Sequence, residues 1–158
     1  LFDGVAALLQ LVNHNHYEGQ AALSLEAIST NISSATAYPL AFYGRAPMRF
    51  DWRPMVSAII ADIDCGSDIN VIGSRFHLSL CALVEKFLDY FPREKVLVSG
   101  GVFQNRLLCE HHQGMLARRG VELIDHHRIP PNDSGIAVGQ LAALNHQMRD
   151  QYVSSNSR

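Results

Sequence analysis

The sequence predicts an α/β domain in which helices pack against short strands. Two observations carry this prediction. Apolar residues recur at helical spacing over residues 69–91, and an apolar run at 95–99 is followed by a helical segment and a second short apolar run at 121–124. A strand, a helix and a strand in this order favour some parallel pairing. The 158 residues, 47% of them hydrophobic, are enough for one domain or one lobe with its own core.

The first half of the chain is predicted to form two helices, a hairpin and a third helix. Phe2, Val5 and Leu9 recur at helical spacing, and so do Ala21 and Leu25. The next stretch alternates loosely between prolines and glycines, which is typical of short strands. In order, we predict a helix over 1–12, a helix over 18–29, a polar loop over 29–36, two short strands within 38–52 with a turn near Gly44-Arg45, and a helix that begins with Asp51 as its cap and Pro54 in its first turn and ends at about Cys65.

The second half begins with the clearest helix of the sequence, over 69–91. Its apolar residues lie three or four positions apart, which predicts one long buried stripe that ends at Pro92. The stripe consists of Ile72, Phe76, Leu80, Leu83, Phe87 and Phe91. We then predict one lobe over 1–149 that is completed by a buried strand over 95–99, a helix over 104–119 closed by Gly120, a strand over 121–124, and a last helix from Ser134 to about Met148, before a disordered tail over 150–158.

Composition and charge exclude several classes of protein. A net charge of −2 leaves no broad basic field, which argues against direct binding of nucleic acid. No apolar run approaches the ~18 residues of a membrane-spanning helix, and no signal-peptide pattern is present, so we expect a cytoplasmic protein. The cysteines Cys65, Cys81 and Cys109 are odd in number and widely spaced, which favours reduced, mostly buried thiols. Because a helical pattern is already under way at Leu1, we expect the function to draw on residues outside this chain.

The segment 96–105 (VLVSGGVFQN) carries the first candidate site. In open α/β sheets ligands bind beyond the carboxyl ends of strands, and glycines there let a ligand approach the backbone. Gly100 and Gly101 are therefore candidates for the floor of a nucleotide pocket, and Asn105, in the first turn of the next helix, is a candidate for a polar contact. The alternative is a tight strand–helix turn in which Asn105 is only a surface polar residue.

Asp133, in the segment 130–140 (PPNDSGIAVGQ), is the second candidate. A carboxylate at the start of a helix either caps that helix or binds a divalent metal. Oxygen ligands suit Mg²⁺, and a mixed shell of histidine and aspartate suits Zn²⁺ or Fe²⁺. Because one carboxylate is not a complete metal site, the remaining ligands would come from outside this chain.

A third group comprises Asp3 and the turn at 17–20. Asp3 lies on an otherwise apolar helix, where its carboxylate is either an acceptor for ribose hydroxyls or an ordinary exposed acid. The eight histidines lack the spacing that places two imidazoles on one helix face, so we predict no histidine-based metal site within the chain. We interpret His77, on the long helix, as a partly buried packing or hydrogen-bonding residue.

Four ordered segments of the chain resemble the HypF carbamoyltransferases. They are 1–9 (LFDGVAALL), 17–22 (YEGQAA), 99–108 (SGGVFQNRLL) and 127–140 (HRIPPNDSGIAVGQ), and the resemblance extends over nearly the whole chain. The related tRNA threonylcarbamoyl transferases share part of the last two segments, but the Phe-Gln-Asn-Arg and Tyr-Glu-Gly-Gln sequences are typical of HypF. The resemblance implies the second lobe of an actin/Hsp70/sugar-kinase-like (ASKHA) fold, a mixed sheet packed by helices, with a nucleotide between two lobes.

The resemblance also implies roles for individual residues. Asp133 matches an aspartate that binds metal, and Asn105 matches an asparagine that contacts the adenosine part of the ligand. Gly100 and Gly101 match glycines that line the same pocket. The remaining implied nucleotide-binding positions are Asp3, which matches an aspartate that contacts the ribose, and the loop residues Gly19 and Gln20.

The implied reaction moves a carbamoyl group from carbamoyl adenylate, made with ATP, to the C-terminal cysteine of the partner HypE. This step belongs to cyanide-ligand synthesis for nickel–iron hydrogenase. The resemblance also implies upstream HypF domains as partners and a divalent metal (Zn, Fe or Mg) as cofactor. Two alternatives stay open: an inactive isolated nucleotide-binding lobe, and a relative of the tRNA threonylcarbamoyl transferases. We expect negligible turnover by the chain alone.

Overall fold

The computed structural model of the chain describes residues 1–30, 35–44, 47–93, 95–126 and 128–155, with side chains described as far as residue 148. Within these residues, helices pack on two short sheets. The helices are α1 (Phe2–Leu8), α2 (Gln20–Ile28), α3 (Arg53–Asp64), α4 (Ile69–Tyr90), α5 (Arg106–Arg118) and α6 (Ile136–Ser155). The strands are β1 (Ala41–Tyr43), β2 (Arg49–Asp51), β3 (Lys95–Leu97) and β4 (Glu122–Ile124), and 3₁₀ turns lie at Gly101–Gln104 and Asp133–Gly135.

The larger core lies in the N-terminal half, where α1 and α2 pack against the first half of α4 and against α3. The Phe76 side chain is fully buried at its centre, and the Phe2 ring meets it edge-on with 5.1 Å between ring centroids. Both predicted N-terminal helices are confirmed, although each is shorter than predicted. The buried residues of this core are Val5, Ala6, Leu9, Ala21, Leu25, Tyr38, Met55, Ile59, Ile72 and Phe76.

The long helix α4 begins at a capped N-terminus, because the Asp68 carboxylate accepts a hydrogen bond from the backbone N–H of Asn70 at 2.8 Å. The prediction of one buried stripe along its whole length is wrong, since Phe87 is 51% exposed. The α5 helix meets the second half of α4 on the face of Leu88 and Val84 instead, in a smaller cluster with Met115 and Leu116. The Phe87 face of the helix is left open to solvent.

The predicted hairpin is confirmed, with β1 and β2 antiparallel and Phe42 opposite Phe50. Its predicted turn begins at Gly44, whose φ is +76°, while Arg45 lies outside the described residues. The prediction of Asp51 as the cap of α3 is wrong, because Asp51 ends β2 and Trp52 occupies the cap position. The Asp51 carboxylate nonetheless accepts a hydrogen bond from the backbone N–H of Arg53.

The C-terminal half contains the predicted strand–helix–strand unit. Strands β3 and β4 are parallel, with Leu97 opposite Ile124, which confirms the expected parallel pairing. The prediction of a buried strand over 95–99 is wrong in extent and burial: β3 ends at Leu97, and that side chain is 67% exposed. The α5 helix ends as predicted, because Gly120 follows its C-terminus with a φ of +66°.

The last helix, α6, differs most from its prediction. It begins at Ile136, after the 3₁₀ turn, and continues to Ser155, beyond the predicted end at Met148 and into the tail that was expected to be disordered. Residues 156–158 lie outside the described residues. Among the described residues, no helix is long and apolar enough to cross a membrane. The observed mixture of helices with small antiparallel and parallel sheets confirms the α/β class.

Candidate functional site

An open cleft of about 510 Å³ lies beyond the carboxyl ends of β3 and β4. Gly100 lines it with a φ of +101°, a left-handed conformation that favours glycine, and its N–H donates a hydrogen bond to the carbonyl of Pro131 at 2.7 Å. This hydrogen bond joins the segment that follows β3 to the loop before α6. The other residues that line the cleft include Ser99, His126, Asn132, Asp133, Gly135 and Gly139.

Asp133 lies in the wall of this cleft and is exposed. The capping hydrogen bond at this helix start is made by Asn132, whose Oδ1 accepts from the backbone N–H of Ser134 at 3.1 Å. Gly135 closes the turn from the other side, since an added Cβ there would come within 3.0 Å of the Pro130 carbonyl oxygen. The local sequence therefore places the Asp133 carboxylate at the edge of the cleft. The Asn132 side chain, and not Asp133, accepts the capping hydrogen bond from the backbone N–H of Ser134.

The residues that line the cleft could supply only part of the ligand set of a divalent metal. Asp133 offers the hard oxygen ligand that Mg²⁺, Zn²⁺ or Fe²⁺ accepts. Within the part of the chain that the structure describes, no group of three or more histidine, cysteine, aspartate or glutamate side chains is placed to hold a metal ion. The chain therefore supplies one candidate ligand and not a complete shell.

Asn105 is buried, with 6% of its surface exposed, so its interpretation as a surface polar residue is wrong. It is the N-cap of α5 and not a first-turn residue: its Oδ1 accepts a hydrogen bond from the backbone N–H of Leu108 at 3.0 Å. Its Nδ2 lies 3.0 Å from Nε2 of His77. The carboxamide thus joins the start of α5 to the middle of α4.

His77 is fully buried and not partly buried as predicted, while its contacts confirm its interpretation as a packing or hydrogen-bonding residue. Its Nδ1 lies 2.9 Å from the carbonyl oxygen of Gly73, which can only accept, so Nδ1 carries the proton. Nε2 is then the acceptor for the Asn105 amide. Burial lowers the pKa of His77 below its ordinary value, which favours this neutral tautomer. Ser29 Oγ, at 3.1 Å from Nδ1, extends the network to α2.

Asp3 lines a separate cavity of about 330 Å³ between α1 and the loop before α2. Its Oδ1 accepts a hydrogen bond from Nδ2 of Asn15 at 3.1 Å. Gly19 caps α2 with a φ of +80°, and Oε1 of Gln20 accepts from the backbone N–H of His16 at 2.7 Å. These residues together fix the loop that forms one wall of the cavity.

The structure therefore divides the predicted site residues among three places. Gly100 and Asp133 share the strand-end cleft, Asp3 lines the second cavity, and Asn105 lies buried between α4 and α5. Gly101 is exposed and begins the 3₁₀ turn that follows Gly100.

Glu26 of α2 makes a contact that was not predicted from the sequence. Its Oε1 accepts a hydrogen bond from the backbone N–H of Arg106 at 3.0 Å and so holds the start of α5 against α2. No local signal indicates this contact, because the two residues are 80 positions apart in the chain.

Comparison with known proteins places these features in a family. The family model described as the carbamoyltransferase Kae1-like domain, second subdomain, matches residues 1–140. The carbamoyltransferase HypF of Synechocystis sp. is 38% identical over 145 residues, which cover 90% of this chain and 18% of that protein. The HypF of Rhodobacter capsulatus is 31% identical over 145 residues, covering 89% of this chain and 18% of the relative.

Solved structures agree with these sequence matches. The crystal structure of full-length HypF in a phosphate- and nucleotide-bound form superimposes with a TM-score of 0.78 at 30% identity, over 88% of this chain and 19% of that one. HypF of T. kodakarensis shares the fold, with a TM-score of 0.76 at 24% identity, over 96% of this chain and 20% of that one. The chain thus spans about a fifth of the length of these HypF proteins. The family model of the second subdomain matches residues 1–140. The chain therefore belongs to the Kae1-like domain family of HypF carbamoyltransferases.

Proposed function

We propose that this chain is part of a cytoplasmic carbamoyltransferase that moves a carbamoyl group from carbamoyl adenylate to the C-terminal cysteine of HypE, for cyanide-ligand synthesis in nickel–iron hydrogenase. One observation carries the assignment to this chain. The backbone hydrogen bond from Gly100 to Pro131 brings a strand-end glycine and the exposed carboxylate of Asp133 into one cleft. Ligands of open α/β folds bind in such a place.

In this proposal the chain's residues bind and orient the adenylate. Gly100 presents backbone without a side chain, and no described atom lies within 4 Å of the position that a Cβ would take there. Among the described residues, the oxygen of the Asn105 carboxamide accepts from Leu108 and its nitrogen lies 3.0 Å from His77, and we assign its second N–H to the ligand. We also assign Gly101, which directly follows Gly100, to the nucleotide pocket, and we assign the ribose side to Asp3, which lines the second cavity, together with the loop residues Gly19 and Gln20.

Asp133 is proposed as one ligand of a divalent metal whose other ligands come from another part of the transferase. A bound metal would polarise the carbamoyl carbonyl as a Lewis acid. The nucleophile is the acceptor thiol, so the chain needs no covalent nucleophile of its own.

The proposed partners include the remaining domains of the transferase, and the surface of α6 supports this assignment. Leu141, Leu144 and Met148 are each more than half exposed, and Val138 and Ile136 extend the apolar surface towards the cleft. An apolar surface of this kind marks a contact with another protein surface. We place the first lobe of the transferase against it, since the chain matches a second subdomain.

The proposal is tested in a chimera of Synechocystis HypF in which residues 1–140 replace the matching segment. Asp133→Ala and Asn105→Ala should each weaken binding of ATP or carbamoyl adenylate by tenfold or more in the presence of the metal, because in the proposed site Asp133 holds the metal and Asn105 contacts the adenosine part of the ligand. Isothermal titration calorimetry measures the binding, and carbamoylation of HypE followed by mass spectrometry measures the transfer. Asp64→Ala, at an exposed carboxylate on the end of α3, is the matched control.

Two results would contradict the proposal. Equal nucleotide affinity in the parent chimera and in both variants would show that Asn105 and Asp133 do not contribute to a nucleotide site. Measurable carbamoyl transfer by the isolated 158 residues would show that the metal shell and the first lobe are not required.

A further inference from the structure

Two polar side chains extend the pairing of β3 and β4 beyond the ends of the strands. The last register pair of the two strands is Leu97 opposite Ile124, and Ser99 and His126 are each two positions further along the chain. The backbone N–H of Val98 donates a hydrogen bond to the Ile124 carbonyl at 3.0 Å, which continues the pairing of the two segments beyond β3. Ser99 Oγ and His126 Nε2 lie 3.0 Å apart.

This pair faces the cleft. Ser99 and His126 both line it, both are exposed, and Gly100 and Asp133 form the adjoining wall. A hydroxyl within hydrogen-bond distance of an exposed imidazole is an arrangement that transfers protons. Asp133 lines the same cleft as His126, and Asp125 and Arg128 are the charged residues closest to His126 in the sequence, while Lys95 and Glu122 pair with each other at the opposite end of the strands.

We propose that Ser99 and His126 form the base that takes the proton from the acceptor thiol. This inference rests on the proposed function, because it assigns the thiol-activating step of that same cleft. The thiol donates its proton to Ser99 Oγ while the Ser99 hydroxyl proton passes to His126 Nε2. The sulfur forms a bond to the carbamoyl carbon, and the bond from that carbon to the phosphate oxygen breaks. The electron pair leaves with the nucleotide monophosphate, and the imidazolium returns its proton to water.

The pair is suited to a thiol because the thiolate is the reactive form of cysteine and a free thiol ionises only near pH ~8.5. At pH 7 a few per cent of such a thiol is ionised, so a positioned base increases the rate. Above about pH 9 the thiol ionises without help, and the base becomes unnecessary.

The test uses the HypF chimera with preformed carbamoyl adenylate and with HypE, the acceptor proposed above. At pH 7, His126→Gln and Ser99→Ala should each lower the transfer rate by about a hundredfold, the usual range for loss of a general base, without changing the affinity for the adenylate. Ser99→Thr keeps the hydroxyl and should keep most of the activity. At pH 9.5 the deficit of His126→Gln should shrink to within a few-fold of the parent. Circular dichroism and the melting temperature establish that each variant is folded.

The outcomes separate this inference from the proposed function. Transfer by His126→Gln at the parental rate at pH 7 would overturn the base assignment, and so would a deficit of equal size at pH 7 and 9.5. If Asp133→Ala binds and transfers like the parent, the proposed function of the cleft fails whatever the histidine does. If Asp133→Ala loses binding while His126→Gln is fully active, the cleft stands and only the base is wrong.

Discussion

The N-terminal and C-terminal halves of the chain differ in how much apolar surface they bury. Ten buried apolar residues form the core around α1, α2, α3 and the first half of α4, whereas Leu88, Met115 and Leu116 form the buried centre of the smaller cluster. The α6 helix meanwhile exposes several large apolar side chains. The N-terminal half therefore buries the larger core, and the exposed apolar face of α6 is the surface that we place against another lobe in the proposed function.

The largest expected effect tests the N-terminal core directly. Phe76→Ala should lower the free energy of unfolding by about 3–5 kcal/mol, because the ring is fully buried and its loss leaves a cavity beside Phe2. Phe87→Ala, on the same helix but 51% exposed, is the matched control and should cost less than about 1 kcal/mol. Urea unfolding followed by circular dichroism measures both. Similar losses for the two variants would contradict the contrast between the two halves of α4.

A smaller effect tests the C-terminal half through pH at His112, which is buried on α5 one turn before Leu116. Burial, and then the neighbouring His111, lower the pKa of His112 to about 4. The unfolded chain takes up this proton near pH ~6.5, so the stability that the neutral imidazole contributes is present above that pH and is lost as the pH falls towards 4. We expect a loss of up to about 3 kcal/mol between pH 7 and pH 4 from this residue.

The matched variant for this prediction is His112→Leu, which has no titratable group at the position. Urea unfolding at pH 7, 5.5 and 4.5 should show a shallower decline with acid than in the parent chain. A part of the decline should persist, because burial also lowers the pKa of His77. An unchanged pH dependence in the variant would mean that burial on α5 does not keep His112 neutral.

The smallest effect tests the contact that joins the two halves. Asn105→Ala removes the cap of α5 and the partner of His77, and it should cost about 1–2 kcal/mol. Asn105→Ser keeps a capping oxygen and loses only the link to His77, so its cost should be about half as large. Urea unfolding at pH 7 compares the two. If both variants are as stable as the parent, the halves are held together by other contacts, such as that between Glu26 and Arg106.

The features that the sequence predicted are those that depend on neighbouring residues. The hairpin, the positive φ of Gly120 and the helix cores follow from spacing and from residue types within a few positions. The exposure of Phe87 and the length of α6 were missed, since both depend on which surfaces meet. A helical stripe indicates that some face is buried, but it does not say how far along the helix the partner extends.

The site shows the same division. Gly100 and Asp133 were each predicted from local pattern, and the parallel strand pair brings them into one cleft. The pairing of Ser99 with His126 follows from the register of that strand pair, but the sequence alone assigned neither residue a role in proton transfer. Asn105 was predicted to make a polar contact from the first turn of α5, while its burial against His77 was not predicted.

The sequence by itself determined the α/β class, the order of the elements and the segments that carry glycine and carboxylate, because backbone preferences and apolar periodicity act over a few residues. Only the tertiary structure decided which of those segments share a cleft, which histidines are buried and neutral, and which apolar faces stay open. These outcomes depend on contacts between residues that are 27 to 80 positions apart. Such contacts form because buried polar groups need hydrogen-bond partners and side chains of different helices and strands must pack closely. A short pattern of residue types does not show which distant residues will meet.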